Sequence, residues 1–142
     1  MSAAPRIRTF HDGDEEAVVG LWERAGLTRP WNDPRKDIAR FRAVWPDLLL
    51  VADLGGAVVG AVMAGYDGHR GWLNYLAADP DRQGEGIGSA LVREAERRLE
   101  AIGCPKVQLL VRPENAGVFA FYDAIGYERA EIGFAGRRLI AD

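Results

Sequence analysis

The segment RQGEGIGSAL, from Arg82 to Leu91, places a glycine at every second position directly ahead of helix-forming residues. Glycine has no Cβ, so the backbone amides of such a loop can approach an anion closely. The start of a helix adds unpaired N–H groups and a partial positive charge, which together favour phosphate. Gln83 and Ser89 place neutral side-chain donors at the two ends of the loop. The loop is therefore a candidate phosphate site, although a flexible turn that begins a helix explains the same pattern.

The spacing excludes two common phosphate loops. A P-loop ends in Gly-Lys-Ser/Thr, whereas Gly88 is followed by Ser89 and Ala90. The dinucleotide pattern G-x-G-x-x-G needs glycine at position 89 or 91, and these positions hold Ser89 and Leu91.

A second segment with chemical potential is ENAGVFAFYDAIG, residues 114–126. The phenol of Tyr122 can act as a general acid if it lies within hydrogen-bond reach of a leaving group. Phe119 and Tyr122 also lie one helical turn apart, so plain core packing explains the same spacing. Both interpretations stay open from the residues alone.

Composition limits the class of protein. The chain has 142 residues, 48% hydrophobic and 27% charged, with a formal net charge of −3. These values predict one soluble domain and exclude non-specific nucleic-acid binding, which needs a basic surface. The single cysteine, Cys104, allows no internal disulfide, and His11 and His69 lack metal-ligand spacing, so no metal site is predicted.

No membrane or secretory segment is predicted. The longest solidly apolar run, residues 48–52, is much too short to span a bilayer. The segment MSAAPRIRTFHDGDEE has no apolar region typical of a secretory signal. We expect a cytoplasmic protein.

Periodicity and turn residues predict the order β-α-α-β-β-β-α-β-α-β, with one further strand possible at the end. The strands are expected at residues 6–10, 48–53, 57–67, 72–79 and 107–111, and in YERAEIGFAGRRLI. The helices are expected within residues 11–26, with Asp12 or Asp14 as the candidate cap and Gly26 as the stop, and at residues 34–45, 87–102 and 114–126. A hairpin meander followed by a β-α-β unit predicts an α/β domain with a mixed, mostly antiparallel sheet and helices on both faces.

QGEGIG (residues 83–88) matches the Q/R-x-x-G-x-G/A motif of the GNAT family of N-acetyltransferases. ENAGVFAFYDAIGYE resembles the family's N-x-x-x-x-x-F-Y-x-x-x-G-F/Y segment, and the order of elements over residues 6–140 resembles its fold. More narrowly, WERAGLTRPWNDP, GYDGHRG and GCPKVQ resemble the YpeA-like branch of bacterial members. The resemblance implies one domain over residues 1–142 that uses acetyl-CoA as cosubstrate.

The resemblance also implies roles for individual residues. The pyrophosphate of acetyl-CoA would be held by Gln83, Gly84, Gly86, Gly88 and Ser89. Leu76, Ala77 and Ala78 would lie where their strand splays from residues 107–111 and would pair with the pantetheine arm, the amide of Leu76 or Ala77 polarising the thioester carbonyl. Asn115 and Tyr122 would contact the cofactor, and Tyr122 would protonate the departing thiolate. Glu85 departs from the family, where many members carry a basic residue, and is expected to point to solvent.

The residues that would bind and deprotonate the acceptor amine form a less specific pattern than the glycine loop. Candidate general bases are Asp67, His69 and Tyr75, and candidate acceptor-binding residues are Trp31, Asn32, Asp33, Asp67 and His69. Packing of Trp31 and helix capping by Asn32 or Asp33 explain the same loop equally well. Asp33, Asp37 and Asp67 would favour a cationic acceptor, although scattered acidic residues are ordinarily solvated.

The leading hypothesis is therefore direct acetyl transfer, in a ternary complex, to the amine of a small molecule, an amino acid or a protein. The alternative is a non-catalytic acyl-CoA-binding sensor module. No nucleic-acid or membrane partner is expected, and a homodimer is possible.

Overall fold

The structure, a computed structural model, describes residues 4–142 and divides the chain into two compact units. The first unit extends to Gln108 and includes Asp142, and the second is Leu109–Ala141. Residues 1–3, part of the segment in which no secretory signal was predicted, lie outside the described residues. No helix among the described residues is long and apolar enough to cross a membrane.

The described residues of the first unit form five strands and three α-helices. In chain order they are β1 (Arg6–Thr9), α1 (Glu15–Arg24), α2 (Pro34–Val44), β2 (Leu49–Leu54), β3 (Ala57–Tyr66), β4 (Gly71–Ala78), α3 (Ile87–Ala101) and β5 (Val107–Gln108). Single 3-10 turns, Asp12–Asp14 and Pro80–Arg82, precede α1 and α3. After α1, Gly26 has a φ of 74°, in the left-handed region in which helices commonly end.

The five strands form one sheet in the order β1-β2-β3-β4-β5. Three neighbouring pairs are antiparallel, and only β4 and β5 are parallel. The mixed, mostly antiparallel sheet predicted from the sequence is therefore confirmed. The hairpin between β2 and β3 turns through Gly55 and Gly56, both at positive φ, as a tight two-residue turn requires.

Side-chain alternation along β2 and β3 separates the two faces of the sheet. Val51 and Ala61 join the apolar cluster of the α1 and α2 face, whereas Gly60 approaches α3. The helices thus cover both faces, as predicted. The buried members of the cluster on the α1 and α2 face are Phe10, Val18, Val19, Leu21, Trp22, Ile38, Leu49, Val51, Ala61, Met63 and Ala77.

A charged network ties β1 to the start of α1 and to β2. Arg8 donates to both carboxylate oxygens of Asp14, at 2.8 and 3.0 Å, and to Asp53 at 3.0 Å. Asp14 is 4% exposed and also accepts the backbone amide of His11 at 2.9 Å. Burial alone would raise the pKa of Asp14, but the hydrogen bonds from Arg8 and His11 outweigh it and lower that pKa.

The second unit contains α4 (Ala116–Ala124) and no strand among residues 127–141. The strands predicted in YERAEIGFAGRRLI are therefore wrong. Ile132 and Phe134 alternate as a strand would, yet they are 82% and 75% exposed and no neighbouring strand provides a ladder of hydrogen bonds. The strand predicted over residues 107–111 is likewise reduced to Val107–Gln108, and Leu110 is largely exposed.

Replacing Asp14 with Asn should lower the free energy of unfolding by about 2–3 kcal/mol at neutral pH, because Arg8 loses its most buried partner. The folded-state pKa of Asp14 lies below its unfolded value, so the stabilisation is present above about pH 4 and is lost as the pH falls through the folded-state value. Urea unfolding of both proteins at neutral and acidic pH measures the difference, which should shrink in acid.

Asp12→Asn provides the matched control, because the Asp12 side chain is 92% exposed and pairs only at the surface with Arg42. This control should leave the midpoint nearly unchanged. Equal losses in the two variants, or a loss in Asp14→Asn that does not depend on pH, would contradict the role of the buried charge.

Candidate active site

The glycine loop leads directly into α3, whose first residue is Ile87. Gly86 is the residue before the helix, with φ 77°, and no side chain caps the first turn. Asp33 caps α2 and Asn115 caps α4 through their side-chain oxygens, whereas α1, like α3, has no side-chain cap. The longest helix of the chain thus begins with amides that no side chain accepts from, which is the local condition for an anion site.

The backbone of the loop depends on glycine at two positions. Gly84 and Gly86 have φ of 81° and 77°, in the left-handed region, and a Cβ at either would meet open space. Residues 83–86 are exposed, and Gly88 and Ser89 are half-buried. Glu85 is exposed, as expected, and its carboxylate lies 3.5 Å from the guanidinium of Arg82, which offsets its charge beside the loop.

A close contact with the sheet fixes where α3 begins. A Cβ on Gly60 of β3 would lie 2.6 Å from Ile87 Cγ2, 2.8 Å from Leu91 Cδ1 and 3.2 Å from the carbonyl oxygen of Ala77. Only glycine allows the first turn of α3 to approach the backbone of β3 and β4 this closely. The contact places the glycine loop at the end of β4.

Strand β4 contains a β-bulge close to that end. Ala61 pairs with Ala77 and Met63 pairs with Asn74, so Val62 of β3 lies opposite two residues of β4, Tyr75 and Leu76. A bulge leaves one residue of the longer strand outside the regular ladder. Its backbone groups are therefore candidates to bind a ligand, and Leu76 and Ala77 are the residues predicted to polarise a carbonyl.

The other edge of β4 is paired only at its beginning. Gly71 pairs with Val107 and Trp72 with Gln108, and the parallel ladder ends there. Among the described residues of the first unit, residues 73–78 of β4 have no strand partner on that side. Leu76, Ala77 and Ala78, predicted to bind the cofactor arm, belong to this unpaired edge.

Tyr75, a candidate base, is held by three other side chains. Its hydroxyl donates to Asp37 Oδ2 and accepts from Asn32 Nδ2, both at 2.8 Å. Its ring stacks on Trp22 with centroids 4.0 Å apart. Burial, followed by the Asp37 carboxylate, raises the pKa of Tyr75 far above its usual value. A phenol in this state is a hydrogen-bond donor and a poor general base.

Asp67 and His69, the other candidate bases, lie in the turn between β3 and β4. Asp67 accepts the amides of His69 and Arg70, at 2.8 and 2.7 Å, and the indole N–H of Trp72 at 3.0 Å. These hydrogen bonds lower the pKa of Asp67 to about 2, so its carboxylate closes the turn and is a weak proton acceptor. His69 is exposed at the same turn.

The residues of the loop predicted to bind the acceptor differ in their contacts. Asp33 caps α2 by accepting the amides of Arg35 and Lys36, and Asn32 joins the hydrogen bonds around Tyr75. Trp31 is 60% exposed and free to meet a ligand face. The predicted alternative of packing and capping therefore describes Asp33 but not Trp31.

In the second unit, Tyr122 is 7% exposed and its ring contacts those of Phe121 and Tyr127. Burial raises the pKa of Tyr122 to about 12, so the phenol carries its proton at neutral pH, as a general acid must. Asn115 is exposed and accepts the amide of Val118 at 3.4 Å as the cap of α4.

Sequence reasoning missed the contacts that Trp22 and Asp37 make with Tyr75. Trp22 fits the apolar face of α1, and Asp37 stands among several acidic residues, so neither pattern indicated a contact with Tyr75. The residues are separated by 53 and 38 positions from Tyr75, and only the folded sheet brings them together.

Comparison with known proteins identifies the family to which the chain belongs. The sequence model of the Acetyltransferase (GNAT) family matches residues 16–127. This chain belongs to the GNAT family. It is 50% identical over 136 residues to an acetyltransferase of Pectobacterium atrosepticum, covering 96% of each chain. The predicted class of enzyme, a bacterial-type acetyltransferase, is thereby confirmed and favoured over a sensor module, while the YpeA-like branch stays a prediction.

Solved structures confirm the acetyltransferase fold. The chain superposes with a TM-score of 0.78 on an aminoglycoside N-acetyltransferase solved in complex with CoA, at 20% identity and 97% coverage of both chains. The chain also superposes on glucosamine-6-phosphate N-acetyltransferase of Arabidopsis thaliana with a TM-score of 0.70, at 20% identity. The superposition covers 95% of the present chain and 99% of the Arabidopsis chain.

Replacing Gly60 with Ala in this acetyltransferase should displace the first turn of α3, because the new methyl group would overlap Ile87 and Leu91. We expect a loss of about 1–3 kcal/mol in the free energy of unfolding, typical of overpacking. Urea unfolding measures it. Gly20→Ala in α1 is the control, since its Cβ meets nothing within 4 Å and alanine favours a helix. A Gly60→Ala variant as stable as Gly20→Ala would contradict the close contact.

Proposed function

We propose that the chain transfers the acetyl group of acetyl-CoA to a primary amine by direct attack in a ternary complex, as one catalytic domain over residues 1–142. The observation that carries this proposal is the glycine loop at the uncapped start of α3, adjoining a bulged β4. The match to the family, over residues 16–127, includes residues of both units and supports a single domain. A homodimer stays a prediction.

The loop has the properties that a pyrophosphate requires. Gly84, Gly86 and Gly88 present backbone amides without Cβ atoms, and the start of α3 adds its partial positive charge. Gln83 and Ser89 supply side-chain donors. The one carboxylate in the loop, Glu85, is offset by Arg82. A CoA complex of a protein with the same fold supports the choice of ligand.

Strand β4 provides the groups that would hold the acyl arm. Its edge at residues 76–78 has no strand partner within the first unit and offers backbone groups to the amides of a pantetheine chain. We assign the amide of Leu76 or Ala77 to the thioester carbonyl oxygen. A donor aimed at that oxygen stabilises the negative charge that develops when the carbonyl carbon is attacked.

In the proposed reaction the neutral amine nitrogen attacks the thioester carbonyl carbon and forms the new C–N bond. The C–S bond breaks, and the sulfur takes a proton from the hydroxyl of Tyr122. The amine nitrogen gives up one proton to a base, so the products are an amide and free CoA. The raised pKa of Tyr122 keeps its proton available at neutral pH.

The hydrogen bonds of the candidate residues narrow the choice of general base. Tyr75 is held as a neutral donor, and Asp67 has its carboxylate engaged by three donors in a turn. We therefore assign proton removal to His69 or to a water molecule.

The acceptor would bind beside Trp31, Asn32 and Asp33, of which Trp31 offers an exposed aromatic face. Acceptor classes consistent with this loop are small amines, amino acids and protein amino groups. The two solved relatives are named for N-acetylation of chemically different amines, which supports the reaction and leaves the acceptor open.

Thermal-shift titration with CoA, acetyl-CoA and ATP tests the phosphate site. Both coenzyme forms should raise the melting temperature, and Gly86→Ala should weaken the affinity for CoA about ten-fold or more, because the strained loop no longer aligns its amides. Gly56→Ala is a matched control: it has positive φ and an open Cβ position like Gly86, but it lies in the β2–β3 hairpin.

The two glycine variants should lose similar stability, about 1 kcal/mol each, while Gly56→Ala keeps the wild-type affinity for CoA. Stabilisation of the wild type by neither coenzyme form would exclude the proposed function. Equal loss of affinity in the two variants would remove the loop from the site.

Tyr122→Phe tests the general acid. With an amine panel of L-lysine, spermidine, kanamycin and a peptide with a free α-amino group, thiol release should fall about 100-fold while CoA affinity is retained. Tyr66→Phe is the control, because its hydroxyl makes only a surface contact at 3.3 Å with Gly68. Full thiol release by Tyr122→Phe would eliminate its role as acid.

A further inference from the structure

Tyr75 has an unusual backbone conformation. Its φ is 55°, and among the described residues it is the only one other than glycine with a positive φ. Bulky side chains rarely occupy this region, because the Cβ approaches the backbone too closely. Such a conformation persists only where the surrounding contacts determine it, and it is concentrated at functional sites.

The contacts that hold Tyr75 come from three different parts of the first unit. Trp22 of α1 is fully buried and stacks on the ring, with an interplanar angle of 19°. Asn32, in the loop after α1, donates to the Tyr75 hydroxyl at 2.8 Å and to Asp37 Oδ2 at 2.6 Å. Asp37 of α2 accepts the Tyr75 hydroxyl at 2.8 Å. The three polar groups form a closed triangle around one hydroxyl.

This triangle is anchored on the bulge of β4. Tyr75 and Leu76 are the two residues opposite Val62, so the residue held by the triangle is itself part of the irregular backbone. Rotation of the Tyr75 backbone to an ordinary φ would reorient the peptide group between Tyr75 and Leu76. Side chains that fix the phenol therefore also fix the direction of that peptide group.

We propose that Asn32 and Asp37 are positioning residues for acetyl transfer. They hold Tyr75 in its left-handed conformation and thereby aim the bulged backbone amide of Leu76 at the thioester carbonyl. This inference rests on the proposed function, which assigns the carbonyl to that part of β4, and it selects Leu76 over Ala77 as the donor.

The charge of Asp37 suits this role better than acceptor binding. Asp37 Oδ2 already accepts two hydrogen bonds, and the guanidinium of Arg40 lies 3.7 Å from Oδ1. An incoming ammonium group would compete with these partners for the carboxylate. Burial and the adjacent Asp37 carboxylate raise the pKa of Tyr75, so the phenol stays protonated and the triangle persists across neutral pH.

The test is a double-mutant cycle with Tyr75→Phe, Asp37→Asn and the double variant. Tyr75→Phe removes only the hydroxyl and keeps the ring that stacks on Trp22. Asp37→Asn replaces the carboxylate that accepts from Asn32 and Tyr75 with a neutral amide. Isothermal titration calorimetry measures Kd for CoA and for acetyl-CoA, so no acceptor has to be known. Thiol release with the best amine of the panel gives kcat.

Each single variant should weaken acetyl-CoA about five-fold relative to CoA, as expected for one lost hydrogen bond to the carbonyl, and should lower kcat by about ten-fold. Kd for CoA itself should stay within about two-fold of wild type, because CoA has no thioester carbonyl. The double variant should be no worse than the worse single variant, because both residues act through one hydroxyl.

Asp53→Asn is the matched control. It removes a carboxylate that pairs with Arg8 and the Gly56 amide, so it should lower the melting temperature without changing the acetyl-CoA to CoA ratio. Wild-type ratios and kcat in Tyr75→Phe and Asp37→Asn would overturn the inference, as would equal weakening of both coenzyme forms or multiplicative losses in the double variant. Failure of the wild type to bind CoA would instead reject the proposed function.

Discussion

Strand β4 contains a β-bulge, in which two of its residues lie opposite one residue of β3. The arrangement of the first unit depends on this extra residue. Asn74 pairs with Met63 and Ala77 with Ala61, so two positions three residues apart face the same side of the sheet. Without the extra residue, the second half of β4 would turn its apolar side chains away from α1. The same irregularity exposes backbone groups next to the glycine loop.

The start of α3 and the bulge lie close together because of a second constraint on the same strands. Gly60 has no side chain, which lets Ile87 and Leu91 pack directly on the backbone near Ala77. The groups proposed to bind the phosphate and the carbonyl thus lie beside elements that touch, the start of α3 and the end of β4. Rigid elements hold such groups more accurately than loops do, and accurate placement is what electrostatic stabilisation of a transition state requires.

Local chemistry made much of this architecture predictable from the sequence. Proline and an Asp cap marked α2, paired glycines marked the β2–β3 hairpin, and alternating glycines marked the loop before α3. The bulge could not be predicted, because WLNYLAA is typical of an uninterrupted strand and only pairing with β3 reveals the extra residue. The final strands were wrong for a related reason: alternation at Ile132 and Phe134 describes a strand only where a neighbour completes its hydrogen bonds.

The uncapped start of α3 has a consequence for the local stability of the chain. Helix ends fray, and a first turn without a side-chain cap frays more easily, so we expect the amides of residues 87–89 to exchange their hydrogens with solvent sooner than those deeper in the helix. An anion that accepts these amides replaces the missing cap. A ligand bound at this turn would therefore order it, and its binding would be measured there as slowed hydrogen exchange.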